Sequence, residues 1–180
     1  MGTTLNVAHM PITIRRVGEA EAGAASAVVQ ASFLALAAKD WDGSAQQVFL
    51  AESSAEALVE RLRVAAYAAG AFEGQQMVGF LLMPNEALLG MLFVDPKWVR
   101  QGVGRALWER AREHVEAQFP AIKTVELNAT PNALPFYRSI GFVPISEEFT
   151  RAGCRTTRMA CWLPARALGA ECAPTSPSSG

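Results

Sequence analysis

Histidine is almost missing from this chain, with only His9 and His114 among 180 residues. Two histidines leave little material for a His-based triad or a zinc site, so hydrolase and metalloenzyme chemistry fit poorly. Cysteine is nearly as scarce. Cys154, Cys161 and Cys172 show neither C-x-x-C nor metal-ligand spacing with histidine, so reduced thiols and no bound metal are expected. Excess charge is missing too, since 16 basic against 17 acidic residues leave a formal charge of -1 and no reason to expect a nucleic-acid partner. The apolar stretches are alanine-rich and interrupted by charge, and none is expected to reach the roughly 18 to 20 residues of a membrane span. The N-terminus lacks a basic region leading into a long apolar one, so no signal peptide is read and a cytoplasmic protein is expected. No G-x-x-x-x-G-K-[ST] occurs, which excludes a P-loop.

What is present reads as one domain of ordinary size over residues 1–163, with a Pro/Ser/Thr-rich, disordered tail expected over 164–180. Alternation over residues 12–17 predicts a first strand ending at Gly18. A helix follows over 19–39, with Ala25, Val28, Val29, Phe33 and Leu36 on one face, until Trp41-Asp42-Gly43 breaks it. Ser53 and Glu56 have the form of a capping box for a second helix with Leu58, Leu62 and Ala65 as its buried stripe. Residues 67–72 and 77–83 read as a hairpin around Glu73-Gly74-Gln75, and 88–94 as its neighbour. Beyond Gly102 a helix carries Val103, Leu107, Ala111, Val115 and Phe119 inward. A strand over 124–130, a short helix over 132–140 ending at Gly141, and strands over 142–149 and 155–163 joined around Gly153 complete the pattern.

The most informative stretch is Phe93-Val94-Asp95-Pro96-Lys97-Trp98-Val99-Arg100-Gln101-Gly102-Val103-Gly104-Arg105. Asp95-Pro96 stops the strand, and a helix begins near Gly102. Two glycines let a ligand approach the backbone, and the free N–H groups of the first helical turn suit an anion such as a diphosphate. Lys97, Arg100 and Arg105 add positive charge there. Taken alone, a Gly-x-Gly also suits a plain tight turn. A dinucleotide fingerprint needs a third glycine where Leu107 stands, and a glycine-rich turn after the first strand where Val17-Gly18-Glu19-Ala20 stands. A nucleotide-dependent oxidoreductase therefore does not fit.

Two motifs, LFVDPKWVRQGVGRAL (92–107) and LNATPNALPFYRSIGFVP (127–144), together with the element order over about residues 11–163, resemble the GNAT superfamily of acyl-CoA-dependent N-acetyltransferases. The resemblance implies an α/β (α+β) fold with a mixed, mostly antiparallel central sheet of about seven strands and flanking helices. Its fourth and fifth strands would splay, with the pantetheine arm of acetyl-CoA between them. Backbone groups of Leu92, Phe93 and Val94 would pair with that arm, and Arg100, Gln101, Gly102, Val103, Gly104 and Arg105 would surround the pyrophosphate. Phe136 would line the cofactor, while Asn128 and Asn132 would either hydrogen-bond it or cap the short helix.

Tyr137, second in FYxxxGF, would protonate the departing thiolate or else only pack on the cofactor. Reference pKa values of about 10 for a phenol and about 8.5 for a thiol make the transfer feasible. The resemblance further implies direct attack by an amine of a small molecule, amino acid or peptide, with no covalent enzyme intermediate.

Two departures stand out. Val99 replaces the family's usual Arg or Gln three residues before the first glycine. Gly90, in Leu89-Gly90-Met91, falls where a carboxylate base is frequent, so the base is unassigned. Glu86, Glu126, Asp40 and Asp42 are candidates that read first as solvated surface charges, while Phe33, Trp41 and Glu147-Glu148 border the expected acceptor site. Val99 and Gly90 lean toward the alternative of a non-catalytic acyl-CoA-binding or regulatory module, and Tyr137 leans against it. Family members often form dimers through their C-terminal strands, and residues 159–163 read either as such a homodimer surface or as core.

Overall fold

In the computed structural model, which describes residues 11–163, apolar sequence on both faces of the central strands is explained by helices packed on each side. β1 (Ile12–Arg16), β2 (Tyr67–Glu73), β3 (Gln76–Met83) and β4 (Met91–Val94) form an antiparallel sheet in the order 1-2-3-4. One face of β2 and β3 meets α4 (Val103–Gln118), whose Val103, Leu107, Ala111 and Val115 pack with Ala69, Ala71, Val78 and Leu81. The other face meets α1 (Ala22–Ser32) and α3 (Ala55–Val64), through Ala25, Val29, Leu58 and Leu62 against Ala68, Phe72, Phe80 and Leu82. Burial on both sides removes the polar alternation that a half-exposed strand would show.

A second sheet contains β5 (Thr124–Ala129), β6 (Val143–Pro144) and β8 (Cys154–Trp162) in the order 5-8-6, with β7 (Phe149–Arg151) paired to β8. Between β5 and β6 lies α5 (Leu134–Ser139), with Pro135 in its first turn and Gly141 at φ 99 just beyond its end. The expected mixed, mostly antiparallel α/β arrangement is present, with eight strands among the described residues divided between two sheets. β7 and β8 are joined through Ala152 and Gly153, both at positive φ, as the turn at Gly153 requires.

Several sequence expectations are corrected. Residues 19–37 form one continuous helical segment of 19 residues with hydropathy 1.3, so it does meet the length and composition of a membrane span. Its Ala22, Ala25, Val28, Val29 and Phe33 are buried in the protein, which makes it a core helix. A helix not foreseen, α2 (Gly43–Glu52), starts where the chain was expected only to break. Asp42 is its N-cap and accepts from the Ala45 N–H at 2.7 Å. The cap of α3 is Ser54, whose Oγ accepts from Ala57, while Ser53 is buried with its carbonyl taken by Ser26. The strand expected over 142–149 is two short ones. Of residues 159–163, Met159, Ala160, Cys161 and Leu163 are buried and only Trp162 is exposed, at 60%. The expected tail, His9 and Cys172 lie outside the described residues.

Leu107, fully buried between α4 and the first sheet, anchors the helix that follows the glycine loop. Leu107→Ala is expected to lower unfolding stability by about 2–5 kcal/mol, read as a shift in the denaturant midpoint.

Candidate functional site

The cleft originates at Gly90. Just before it, the chain pairs with the second sheet: Glu126 N–H donates to Ala87 at 2.8 Å and Leu89 N–H donates to Glu126 at 2.9 Å, forming a parallel bridge at Leu88. From Gly90 onward it pairs with the first sheet, through Gly90 N–H to Leu82 at 3.0 Å and Asp95 N–H to Val78 at 2.9 Å. β4 and β5 therefore touch at one point and then separate. Antiparallel alternation fixes which groups are left over. Asp95 bonds toward β3, as do residues 93 and 91, so the peptide groups of Leu92 and Val94 face the gap. On the facing strand Leu163 N–H donates to Lys123, which leaves the backbone of Asn128 and Thr130 on the same gap. Gly90 itself has a packing reason, because a Cβ there would lie 2.8 Å from Pro84 Cδ.

At the C-terminal end of β4, Asp95 caps a 3-10 turn through Pro96–Trp98, accepting from Lys97 N–H at 2.8 Å. Arg100 (φ 62) and Gly102 (φ 83) then turn the chain into α4. No side chain caps this helix, and its first internal bond is Ala106 N–H to Gly102 at 2.9 Å. The N–H groups of Val103, Gly104 and Arg105 thus precede the helical ladder and form the positive end of a 16-residue helix. Gly104 is buried where a Cβ would lie 3.0 Å from the Phe136 ring, so its lack of a side chain lets α5 approach α4. Arg105 ties the same two helices, donating to the Ser139 carbonyl at 2.8 Å.

Phe136 and Tyr137 line the cleft from α5 and contact each other edge-on at 5.2 Å. Tyr137 also meets Phe142 at 5.7 Å, and burial pushes its phenol well above the ordinary tyrosine value. The resulting channel, about 1520 Å³, runs from Arg100, Gly102 and Arg105 past β4 and β5 to Tyr137 and on toward α2.

This geometry is matched by comparison with known proteins. Residues 36–163 fit the family model described as the acetyltransferase (GNAT) domain. The chain belongs to the GNAT acetyltransferase family. A UPF0039 protein of Schizosaccharomyces pombe is 35% identical over 65 residues, a match spanning 36% of this chain and 43% of that protein. The fold is similar to that of a GCN5-related N-acetyltransferase from Rhodopseudomonas palustris, with TM-score 0.74 and 22% identity over 86% of this chain and 98% of that one. It is also similar to the PaiA N-acetyltransferase from Thermoplasma acidophilum in complex with coenzyme A, with TM-score 0.71 and 19% identity over 85% and 99%. The ribosomal-protein-S18-alanine N-acetyltransferase from Escherichia coli gives TM-score 0.60 and 20% identity over 89% and 99%.

Within this GNAT fold the residues singled out from sequence do not all reach the cleft in the same way. Leu92, Phe93, Val94, Arg100, Gly102, Gly104, Arg105, Asn128, Asn132, Phe136 and Tyr137 line it. Gln101 instead turns its amide back onto the Lys97 carbonyl at 2.8 Å, and the Val103 side chain is core, so these two present only backbone. Asn132 does not cap α5. Its Nδ2 donates to the Leu36 carbonyl at 2.8 Å, and its Oδ1 accepts from the Thr130 hydroxyl at 2.6 Å.

Leu36 lies in a π-helical turn, Phe33–Ala37, that ends α1 on the cleft. Among the acids, Glu126 faces Arg158 at 4.0 Å and Glu148 is held by Arg155 at 2.8 Å; neither they, Glu86 nor Glu147 lines the cleft. Asp42 does line it, but the Ala45 N–H and then the Ser44 hydroxyl hold its carboxyl below the usual range as a helix cap. Glu52, paired with Arg61 at 2.9 Å, lines the far end and was not foreseen, because the helix that carries it was not.

Since Asn132 is the side chain joining the start of α5 to the end of α1, Asn132→Ala is expected to raise amide exchange over residues 33–41 by roughly tenfold, with little change at β2 and β3. Hydrogen–deuterium exchange resolved by peptide checks it; uniform exchange change across the fold would contradict the local tether.

Proposed function

We propose that the protein transfers an acetyl group from acetyl-CoA to a primary amine by direct attack. The observation that carries this is the alignment along one cleft of open strand edges, a helix N-terminus and a tyrosine. Unpaired peptide groups at Leu92, Val94 and Asn128 suit an extended amide-bearing arm, which would add to the sheets as a strand does. At one end of that arm, the N–H groups of Val103, Gly104 and Arg105 with the Arg100 and Arg105 guanidiniums suit a diphosphate. At the other end lies Tyr137.

The amine nitrogen bonds to the thioester carbonyl carbon as the carbon–sulfur bond breaks; the nitrogen gives one proton to water and the sulfur gains one. A phenol raised by burial is a poorer acid than a free tyrosine, so full proton donation to sulfur runs further uphill than reference values suggest. Tyr137 acts first as a hydrogen-bond donor to the sulfur as negative charge develops there, stabilising the transition state without having to ionise. Val99 does not weaken the proposal, because the cradle is built from backbone. Gly90 does not either, since Pro84 leaves no room for a side chain.

Tyr137→Phe is expected to lower kcat by roughly 100-fold with coenzyme A affinity nearly unchanged, measured by thiol release and titration calorimetry. Equal turnover would remove the hydroxyl from the reaction. A Cβ on Gly102 meets no protein atom within 4 Å, but at φ 83 any L side chain strains the turn; with Gly102→Ala as the control that carries the strain alone, Gly102→Glu adds negative charge at the proposed diphosphate end. It is expected to weaken coenzyme A binding by about 100-fold or more; undiminished affinity would place the diphosphate elsewhere.

A further inference from the structure

Beyond Tyr137 the channel widens into a chamber whose walls differ in kind from the rest of the cleft. The rings of Phe33, Trp41, Phe49 and Phe93 pack together, with Phe33 to Phe49 at 4.2 Å and Phe49 to Phe93 at 5.8 Å. Helix α2 adds Ala45, Val48 and Phe49 at i, i+3 and i+4, one stripe aimed at the cleft, with Glu52 one turn further on. Two of the apolar side chains lining it remain open to solvent, Val48 at 57% and Leu36 at 38%.

Apart from the Trp41 indole N–H, which is buried without a partner, the uncharged polar groups at the chamber wall are engaged with the protein. Thr156 donates to the Ala129 carbonyl at 3.2 Å, Ser44 to Asp42 at 2.7 Å, and Cys154 to the Arg155 carbonyl at 3.3 Å. Asp42 is a helix cap and Glu52 is paired with Arg61. Against these two acids stand three lining cations, Lys39, Arg61 and Arg151.

From this, and resting on the transferase reading above, we infer that the acceptor is a monoamine with an apolar body, aromatic or branched aliphatic, rather than a polyamine or a small polar amine. A polycation would meet a chamber with more positive than negative side chains and no unengaged carboxylate among the described residues. An apolar body instead covers exposed hydrophobic wall. The same wall shifts the amine toward its reactive form, because an ammonium group entering it loses hydration and meets only carboxylates already bound by protein groups, which lowers the cost of the neutral amine relative to water. The chamber thereby does part of the work of the base that Gly90 cannot supply.

The test is a panel of acceptors with acetyl-CoA and the full chain, followed by thiol release: 2-phenylethylamine, n-pentylamine, n-propylamine and spermidine. The expected kcat/KM for 2-phenylethylamine exceeds that for spermidine by about 100-fold, and rises roughly fourfold per methylene from propylamine to pentylamine. Val48→Glu, at an exposed position, is expected to cut the phenylethylamine value by about 30-fold or more while coenzyme A affinity by calorimetry stays unchanged. Coenzyme A binding with spermidine as the best acceptor, or with no transfer to any apolar amine, overturns this inference and leaves cofactor use standing. Failure of wild-type protein to bind coenzyme A overturns the transferase reading and this inference together.

Discussion

The structure depends on the single bridge between Leu88 and Glu126. If β4 and β5 paired along their length, the two sheets would be one and there would be no cleft; if they did not pair at all, the halves would be joined by the shared core without a backbone bond fixing where the edges diverge. One point of contact followed by divergence leaves peptide groups on both edges without partners in the protein. Buried backbone groups of that kind cost of the order of a hydrogen bond each, so such an opening persists only where water or a ligand with matching donors and acceptors fills it. The change of allegiance happens at Gly90, where Pro84 presses so close that only glycine fits. The missing carboxylate there is thus the consequence of the local packing that makes the opening.

The two halves of the cleft are held by different physics. The half formed by β4, α4 and α5 rests on the main core: Val103 and Leu107 are buried under β2 and β3, Phe136 lies against Gly104, and Arg105 reaches the Ser139 carbonyl. The half formed by the end of α1 and by α2 rests on the aromatic cluster of Phe33, Trp41, Phe49 and Phe93 and on hydrogen bonds. Gln46 donates to the carbonyls of Ala38 and Trp41, Asp42 N–H to Gly153, and Asn132 to Leu36. Ala45 is the only buried residue of α2. Apolar burial is worth several kcal/mol per large side chain and a hydrogen bond about one, so the exposed face of α2 beyond Phe49 is held more weakly than the start of α4.

Local signals made the first half legible. Asp95-Pro96, Gly102 and the four-residue spacing of α4 are read within one stretch of chain, and FYRSIGF contains its own helix stop at Gly141. The pairing of Leu89 with Glu126 could not be read that way, because a strand that changes partners looks, in one dimension, like a longer strand. Nor could the bond from Asn132 to Leu36, which joins positions 96 apart in a pattern that leaves no periodicity. Helix α2 is a different case. Its signal was present, as Asp42 at an N-cap followed by Ala45, Val48 and Phe49 on one face, but Trp41-Asp42-Gly43 read more strongly as an ending than as a beginning.

Burial acts on both partners of the proposed reaction in the same direction. It raises the Tyr137 phenol, so the tyrosinate that full proton donation would leave is unfavourable, and it disfavours the ammonium form of an amine in the aromatic chamber. The resting site is therefore biased toward neutral groups, and charge appears only as the nitrogen attacks and the sulfur departs. In a medium of low polarity that charge separation is costly unless donors already point at it. In the proposed reaction Tyr137 would be one such donor to the sulfur, and more useful un-ionised, because a hydrogen bond to a developing thiolate strengthens along the reaction while the proton stays on oxygen. The opposing charge on nitrogen has no carboxylate waiting on β4, so its proton must leave by water through the open side of the cleft, past the exposed face of α2. An acceptor that sealed that side would block its own deprotonation, which sets an upper limit on how tightly the chamber can close around the amine's body.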